Sequence, residues 1–167
     1  MRPMTTDNLK AAFAGESQAH MKYAGFAAKA AKEGWANVAK LFEAISYAEL
    51  VHATNHLRVL GGIGSTADNL GAAIEGENYE VDQMYPAFQA VAELQEEKRA
   101  FQSMDWAREA EIGHAEMYSD AKDAVEAGKD IELDQVSVCD RCGWTVIGEP
   151  PDQCPVCKAK KELFRIF

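Results

Sequence analysis

A duplicated pattern of glutamate and histidine constrains this chain more than any other feature. Glu49-x-x-His52 and Glu111-x-x-His114 each follow a Gly-Glu pair, Gly15-Glu16 and Gly76-Glu77. The gap from Glu16 to Glu49 is 33 residues and that from Glu77 to Glu111 is 34, so one unit is written twice. Asp7-Asn8-Leu9 opens the first copy and Asp68-Asn69-Leu70 the second, 61 residues later, whereas the Glu-x-x-His motifs are 62 apart. The extra residue is expected in the turn between the two helices of the second copy. On a helix, positions i and i+3 share a face, so each motif aims a carboxylate and an imidazole at one point. Two such helices, with one glutamate from each of two others, build the dimetal cage of a four-helix bundle. The expected fold is therefore all-α.

The helices can be bounded from local signals. The first is expected from Thr6 to about Lys32, capped by Thr5 or Thr6 and ended by Gly34. Its Leu9, Phe13, Glu16, Tyr23, Ala27 and Ala30 fall on one stripe at helical spacing. The second runs from about Trp35 to Leu60 and stops at Gly61-Gly62. A third opens near Ser65-Thr66-Ala67-Asp68, which carries capping chemistry. It is expected to pass Pro86 with a kink, because the ring removes one backbone bond. The fourth ends at Gly128. Its start falls within Glu93-Leu94-Gln95-Glu96-Glu97, a helix–helix corner with no counterpart of Gly34.

The copies differ at one place that bears on chemistry. Glu80 lies three residues after Glu77, on the same face, where the first copy has Ala19. The expected cage thus holds Glu16, Glu49, Glu77, Glu80 and Glu111 with His52 and His114. Hard oxygens with two imidazoles suit iron or manganese. Without metal, five clustered carboxylates would repel one another and take up protons. The plain alternative, solvated helix faces, fits one Glu-x-x-His but not two at matching distance from Gly-Glu. Tyr23 is seven residues past Glu16 and Tyr85 eight past Glu77, two turns along the same stripe. Each is expected either to hydrogen-bond a ligand carboxylate or to be a half-buried aromatic with its hydroxyl in water. His20 and His56 are expected to be exposed and not to be ligands.

All four cysteines crowd into the C-terminal part, as Cys139-x-x-Cys142 and Cys154-x-x-Cys157. The N-terminus, Met1-Arg2-Pro3-Met4, has no apolar signal core, and paired C-x-x-C in such a chain points to a metal rather than to disulfides. Gly143 suits the left-handed position of a metal knuckle, and Lys158 stands at the equivalent place after Cys157. Spacing alone leaves a structural zinc ribbon and a redox-active single iron both open. The expected organisation is a bundle over 1–128, a linker over 129–137 and a metal-stapled module over 138–167. Trp144, Ile147, Phe164, Ile166 and Phe167 are that module's candidate core, too small to fold alone without metal. The formal charge of −10 argues against nucleic acid or an anionic membrane as partner. No apolar run approaches the length of a membrane span, so a cytoplasmic protein is expected.

These stretches together resemble the rubrerythrin family over essentially the whole chain. The matching segments are Ala14-Gly15-Glu16-Ser17-Gln18, Ala48-Glu49-Leu50-Val51-His52-Ala53, Gly76-Glu77-Asn78-Tyr79-Glu80, Met84-Tyr85-Pro86 and Glu111-Ile112-Gly113-His114-Ala115. The tail, Cys139-Asp140-Arg141-Cys142-Gly143-Trp144 with Cys154-Pro155-Val156-Cys157, resembles that family's rubredoxin-like domain. The resemblance implies a ferritin-like bundle with two irons, and one further iron at the four cysteines (zinc being possible there as purified). It implies a non-haem diiron peroxidase that reduces hydrogen peroxide to water in oxidative-stress defence. Rubredoxin or an NAD(P)H-dependent reductase would be the electron donor. It also implies that Glu49 and Glu111 bridge the irons, that Glu16 and Glu80 serve one iron, and that Glu77 and His114 serve the other. On reduction the first iron would exchange Glu80 for His52. The competing reading is a ferritin-like iron oxidation and storage protein with a structural zinc ribbon.

The short connection between the second and third helices has a topological consequence. Leu60 lies 11 residues past Glu49 and Thr66 lies 11 before Glu77. If the third helix starts at the far end of the bundle, the gap is about 33 Å at roughly 1.5 Å per residue. Gly61 to Ser65 spans at most about 20 Å. A domain-swapped homodimer is therefore expected, in which the first two helices of one copy complete a bundle with the last two of another. A simple up-down-up-down bundle is the alternative that a short loop allows.

Overall fold

The computed structural model describes all residues, Met1 to Phe167. They form two compact units, Met1–Gly64 and Ser65–Phe167. The first is a helical hairpin of α1 (Pro3–Lys32) and α2 (Ala36–Val59). The second contains α3 (Thr66–Tyr79), a π-helical turn (Glu80–Met84), α4 (Tyr85–Leu94), α5 (Lys98–Glu126) and a small three-stranded sheet. No helix is long and apolar enough to cross a membrane.

Small residues set the first hairpin. Ala27 and Ala30 of α1 and Ala39, Ser46 and Ala53 of α2 are its buried positions, and the last three recur every seven residues along one seam. Gly34, at φ +85°, turns the chain between the helices as expected. The helix starts where Thr5 and Thr6 are already inside it: Pro3 occupies the first turn and Arg2 the cap, with no side-chain cap bond. A proline with its φ preset nucleates that turn, and so displaces the expected threonine cap. Ser65 caps α3 as expected, in a reciprocal capping box with Asp68.

The second copy departs from the first inside a helix. Its corner repeats the bonds of the first copy's corner, with one more from Lys98 N–H to Glu96 O. Trp35 N–H donates to Ala30 O and Glu97 N–H to Ala92 O; Gly34 N–H donates to Ala31 O and Glu96 N–H to Glu93 O. Each of these pairs is 62 residues apart, so the extra residue lies upstream of the corner and not in it. It is accommodated by the π-helical turn Glu80–Met84, since one inserted residue widens a helical turn. Glu96 itself sits at φ +59°, the left-handed position that glycine fills in the first copy. The helix does continue past Pro86, which sits in the first turn of α4.

The tail is a three-stranded antiparallel sheet in the order β2 (Thr145–Ile147), β1 (Val136–Cys139), β3 (Phe164–Ile166). Its core is smaller than expected from sequence. Buried Cys139, Cys154, Cys157 and Ala159 form it, with Trp144 and Phe164 packed edge to face beside them. Ile147, Ile166 and Phe167 do not join, and Phe167 is 71 % exposed. Three short strands have too few inward positions to bury them. Trp106 of α5 supplies the missing apolar wall, with the Arg141 guanidinium 5.2 Å from its ring centre.

Candidate metal centres

In the first unit, α1 supplies Glu16 and α2 supplies Glu49 and His52, and their donor atoms lie within 4.8 Å of one another. His52 Nδ1 is 3.1 Å from Glu49 Oε2 and 3.9 Å from Glu16 Oε1. The imidazole of His52 is largely exposed within the chain. Tyr23 lies in an aromatic group with Phe26 and Phe42, at ring separations of 6.1 and 6.2 Å. His20 and His56 are both half-buried, not exposed, and His20 Nδ1 is 2.9 Å from the Ser46 hydroxyl across the hairpin. The close helix seam carries His20 inward; it is part of the packing, and no carboxylate approaches it.

The second unit repeats the arrangement with tighter geometry. Glu77 of α3 meets Glu111 and His114 of α5, again with donor atoms within 4.8 Å. His114 Nδ1 is 2.6 Å from Glu111 Oε2 and 4.0 Å from Glu77 Oε1. Burial, then hydrogen bonding and repulsion from Glu111, and then repulsion from Glu80, push the Glu77 carboxyl up to about 7. Glu80, the first residue of the π-helical turn, stands outside the triplet, but burial and the Glu111 charge raise its carboxyl above the usual range. Tyr85 faces the same group: burial first, and then Glu80, Glu111 and Glu77, hold its phenol protonated beyond the ordinary range. A protonated phenol beside three carboxylates can donate a hydrogen bond to whichever oxygen a metal leaves free.

The outer edge of His114 carries the feature that sequence reasoning missed. His114 Nε2 is 2.8 Å from the Thr145 hydroxyl, which donates its proton to the Gly143 carbonyl at 2.9 Å. With its proton so placed, that hydroxyl is set to accept from His114 in the tautomer that carries its proton on Nε2. Nδ1 is left with a lone pair, 2.6 Å from a carboxylate oxygen. A metal bound through Nδ1 would take the place of a proton shared between that nitrogen and the carboxylate. The donor set therefore fits a metal bound through Nδ1, with Nε2–H anchored as metal-bound histidines usually are. Thr145 follows the Cys139-x-x-Cys142-Gly143 knuckle directly after Trp144, but nothing in its neighbours points toward a helix 31 residues away. An apolar cavity of about 400 Å³, lined by Leu70, Met117, Ile131 and Leu133 among others, flanks this contact.

The four sulfurs also fit a metal. Cys139 and Cys157 Sγ are 3.6 Å apart, as are Cys142 and Cys154 Sγ. A disulfide would need about 2.05 Å. A tetrahedron of sulfurs at about 2.3 Å from a metal has edges of about 3.8 Å, close to what is seen. Both knuckles are formed: Gly143 N–H donates to Cys139 O and Lys158 N–H to Cys154 O, with Gly143 at φ +82° and Lys158 at +60°. Lys158 takes the strained position as expected, and its ammonium donates to Pro155 O at 2.7 Å.

Comparison with known proteins finds relatives over nearly the whole chain. A family model described as rubrerythrin matches residues 7–122, and one described as the rubredoxin-like domain of rubrerythrin matches residues 138–165. Rubrerythrin-2 of Clostridium acetobutylicum is 42% identical over 178 residues, covering 98% of this chain and 97% of that protein. Nigerythrin of Nitratidesulfovibrio vulgaris is 34% identical, covering 98% of this chain and 86% of its own. A solved structure of nigerythrin, in its fully reduced all-ferrous state, superposes with a TM-score of 0.58 at 34% identity. It covers 98% of this chain and 86% of that one.

Proposed function

The chain belongs to the rubrerythrin family, and on that premise we propose that it reduces hydrogen peroxide to water, drawing electrons through its tetracysteine site. Its fold is the ferritin-like one with a rubredoxin-like tail, and its cofactors are a diiron centre and one iron at the four cysteines. Membership makes it a diiron oxidative-stress protein of oxidoreductase type.

The balanced reaction takes one peroxide, two protons and two electrons to two waters. Two ferrous ions held by the bundle's side chains would supply both of the electrons that cleavage of the O–O bond requires. Glu16, Glu49, His52, Glu77, Glu80, Glu111 and His114 are the ligands we assign to them. Cys139, Cys142, Cys154 and Cys157 would hold the third iron. Tyr85 keeps its proton and orients a ligand carboxylate. Residues 1–128 would carry the chemistry and 138–167 the electron supply, joined by 129–137. Rubredoxin, or a reductase using a nicotinamide cofactor, would refill the tail.

One observation carries this reading. The His114–Thr145–Gly143 chain ends next to Cys142, so hydrogen bonds and two residues of backbone join the two metal sites within one unit. A structural zinc ribbon on an iron-storage protein would have no use for such a link. Replacing Thr145 by valine keeps the shape and removes the hydroxyl. We expect reoxidation of the tail iron after a peroxide pulse, followed by its thiolate-to-iron absorption, to slow at least about tenfold (about 1.4 kcal/mol of barrier). The direct test of the reaction is stopped-flow reoxidation of the fully reduced, iron-loaded protein. Peroxide is expected to react much faster than oxygen; equal or slower reaction would favour storage.

We also propose that the working form is a domain-swapped homodimer. Each unit contributes one Glu and one Glu-x-x-His set, half of a two-metal cage. The first unit also leaves Phe26, Leu41, Ile45 and Leu50 exposed along its helices, apolar surface for the second unit of another copy to cover.

A further inference from the structure

We infer that Arg108 is the positioning residue that holds the π-helical turn, and with it Glu80, in place. The argument rests on one backbone carbonyl. In a regular helix Val81 O would accept from the N–H of Tyr85, four residues on. Here Tyr85 N–H donates to Glu80 O instead, because the turn is π-helical. The next donor in π register would be residue 86, and residue 86 is proline, which has no N–H. The inserted residue and Pro86 together orphan the Val81 carbonyl. Arg108 on α5 satisfies it: its Nε–H donates to Val81 O at 2.9 Å. A guanidinium donor gives a charge-assisted bond, stronger than the neutral bond it replaces.

The first copy provides an internal control. Arg108 lies 62 residues after Ser46, and Val81 lies 61 after His20, on the upstream side of the insertion. Ser46 Oγ–H donates to His20 O at 2.9 Å. The cross-helix bond to this carbonyl is thus present in both copies, although the donor has changed from a short hydroxyl to a long guanidinium. In the first copy the helix is regular and Ala19 has no ligand to offer. In the second, the same bond clamps a widened turn whose first residue is the extra carboxylate. Gln89, buried on α4, adds a bond to Asp105 of α5 at 3.2 Å on the far side of the turn. Without Arg108, that would be the remaining side-chain hydrogen bond from this stretch to α5, and Glu80 would be less firmly placed.

The inference rests on Glu80 being a ligand, and the test separates the two claims. Arg108→Met, Arg108→Lys, Pro86→Ala, the double variant Pro86→Ala/Arg108→Met, and Glu80→Ala as reference are compared as full-length protein. In metal-free protein, amide exchange over residues 80–85 is expected to speed at least tenfold in Arg108→Met. Pro86→Ala supplies an N–H at residue 86, so the double variant is expected to recover most of that protection. In iron-loaded protein, Arg108→Met is expected to shift the ferric absorption of the bundle toward that of Glu80→Ala. The tail's thiolate-to-iron band should stay unchanged, and Arg108→Lys should be intermediate. Wild-type exchange in Arg108→Met would overturn the inference. So would a double variant as impaired as Arg108→Met, or one that fails to fold when Arg108→Met fails. Unprotected amides beside an unaltered ferric spectrum would reduce Arg108 to a structural residue. An unaltered Glu80→Ala spectrum would overturn the ligand reading, while the exchange result still decides whether Arg108 holds the turn.

Discussion

Cys154→Ala is expected to yield a protein that reacts with peroxide once and then stops. Cys154 is fully buried at the centre of the tail's small core, so the substitution removes a metal ligand and a packed side chain together. Ile147, Ile166 and Phe167 add nothing to that core. Metal binding in modules of this kind is worth about 10–16 kcal/mol, most of their folding free energy. With three thiolates the tail should unfold, release its iron and let go of the Trp106 face and the His114 edge. The helical units do not depend on it for their own seams. Steady-state turnover with an external reductant should therefore fall at least about a hundredfold (about 2.7 kcal/mol). A single peroxide turnover of chemically reduced protein should survive, slowed only by the loss of the Thr145 anchor on His114. Rapid-mixing and steady-state assays on the same preparation separate the two. Retained turnover would remove the tail from the electron route.

Complementation between two dead variants should be nearly as large an effect. Glu49→Ala disables the first unit and Glu111→Ala the second, and each alone should lose the dimetal site. If units pair between copies, a mixed dimer contains one cage with both defects and one with neither. Co-refolding equal amounts should then restore about a quarter of wild-type turnover, because random pairing makes half the dimers mixed and each has one intact site of two. If each chain closes its own cage, every cage keeps a defect and mixing restores nothing. Size-exclusion profiles before and after mixing report whether exchange has taken place.

What could be read from the chain, and what could not, follows from the range of the interactions. Glu-x-x-His is a statement about adjacent helical turns, so Glu49 with His52 and Glu111 with His114 are together as the spacing requires. The two C-x-x-C knuckles are equally local, down to the left-handed Lys158. The extra residue is legible in the spacing, but it lies in the π-helical turn and not in the turn between the two helices. Tyr23 follows Glu16 by seven residues and Tyr85 follows Glu77 by eight, which already confines the insertion upstream of Tyr85. Glu96 hid the corner because a glutamate at positive φ carries no composition signal. Trp106, Thr145 and Arg108 were out of reach for a different reason: each acts on a segment 27 or more residues away, and no pattern within either segment records the meeting.

The widened turn makes twins unlike. Two identical hairpins would enclose metal positions related by symmetry, indistinguishable in affinity and in potential. One inserted residue, an extra acid and a tethered imidazole, all in the second hairpin's unit, break that equivalence. The two ions should then load in a fixed order and take up electrons at separate voltages, a sequence of events that a symmetric cage has no means to specify.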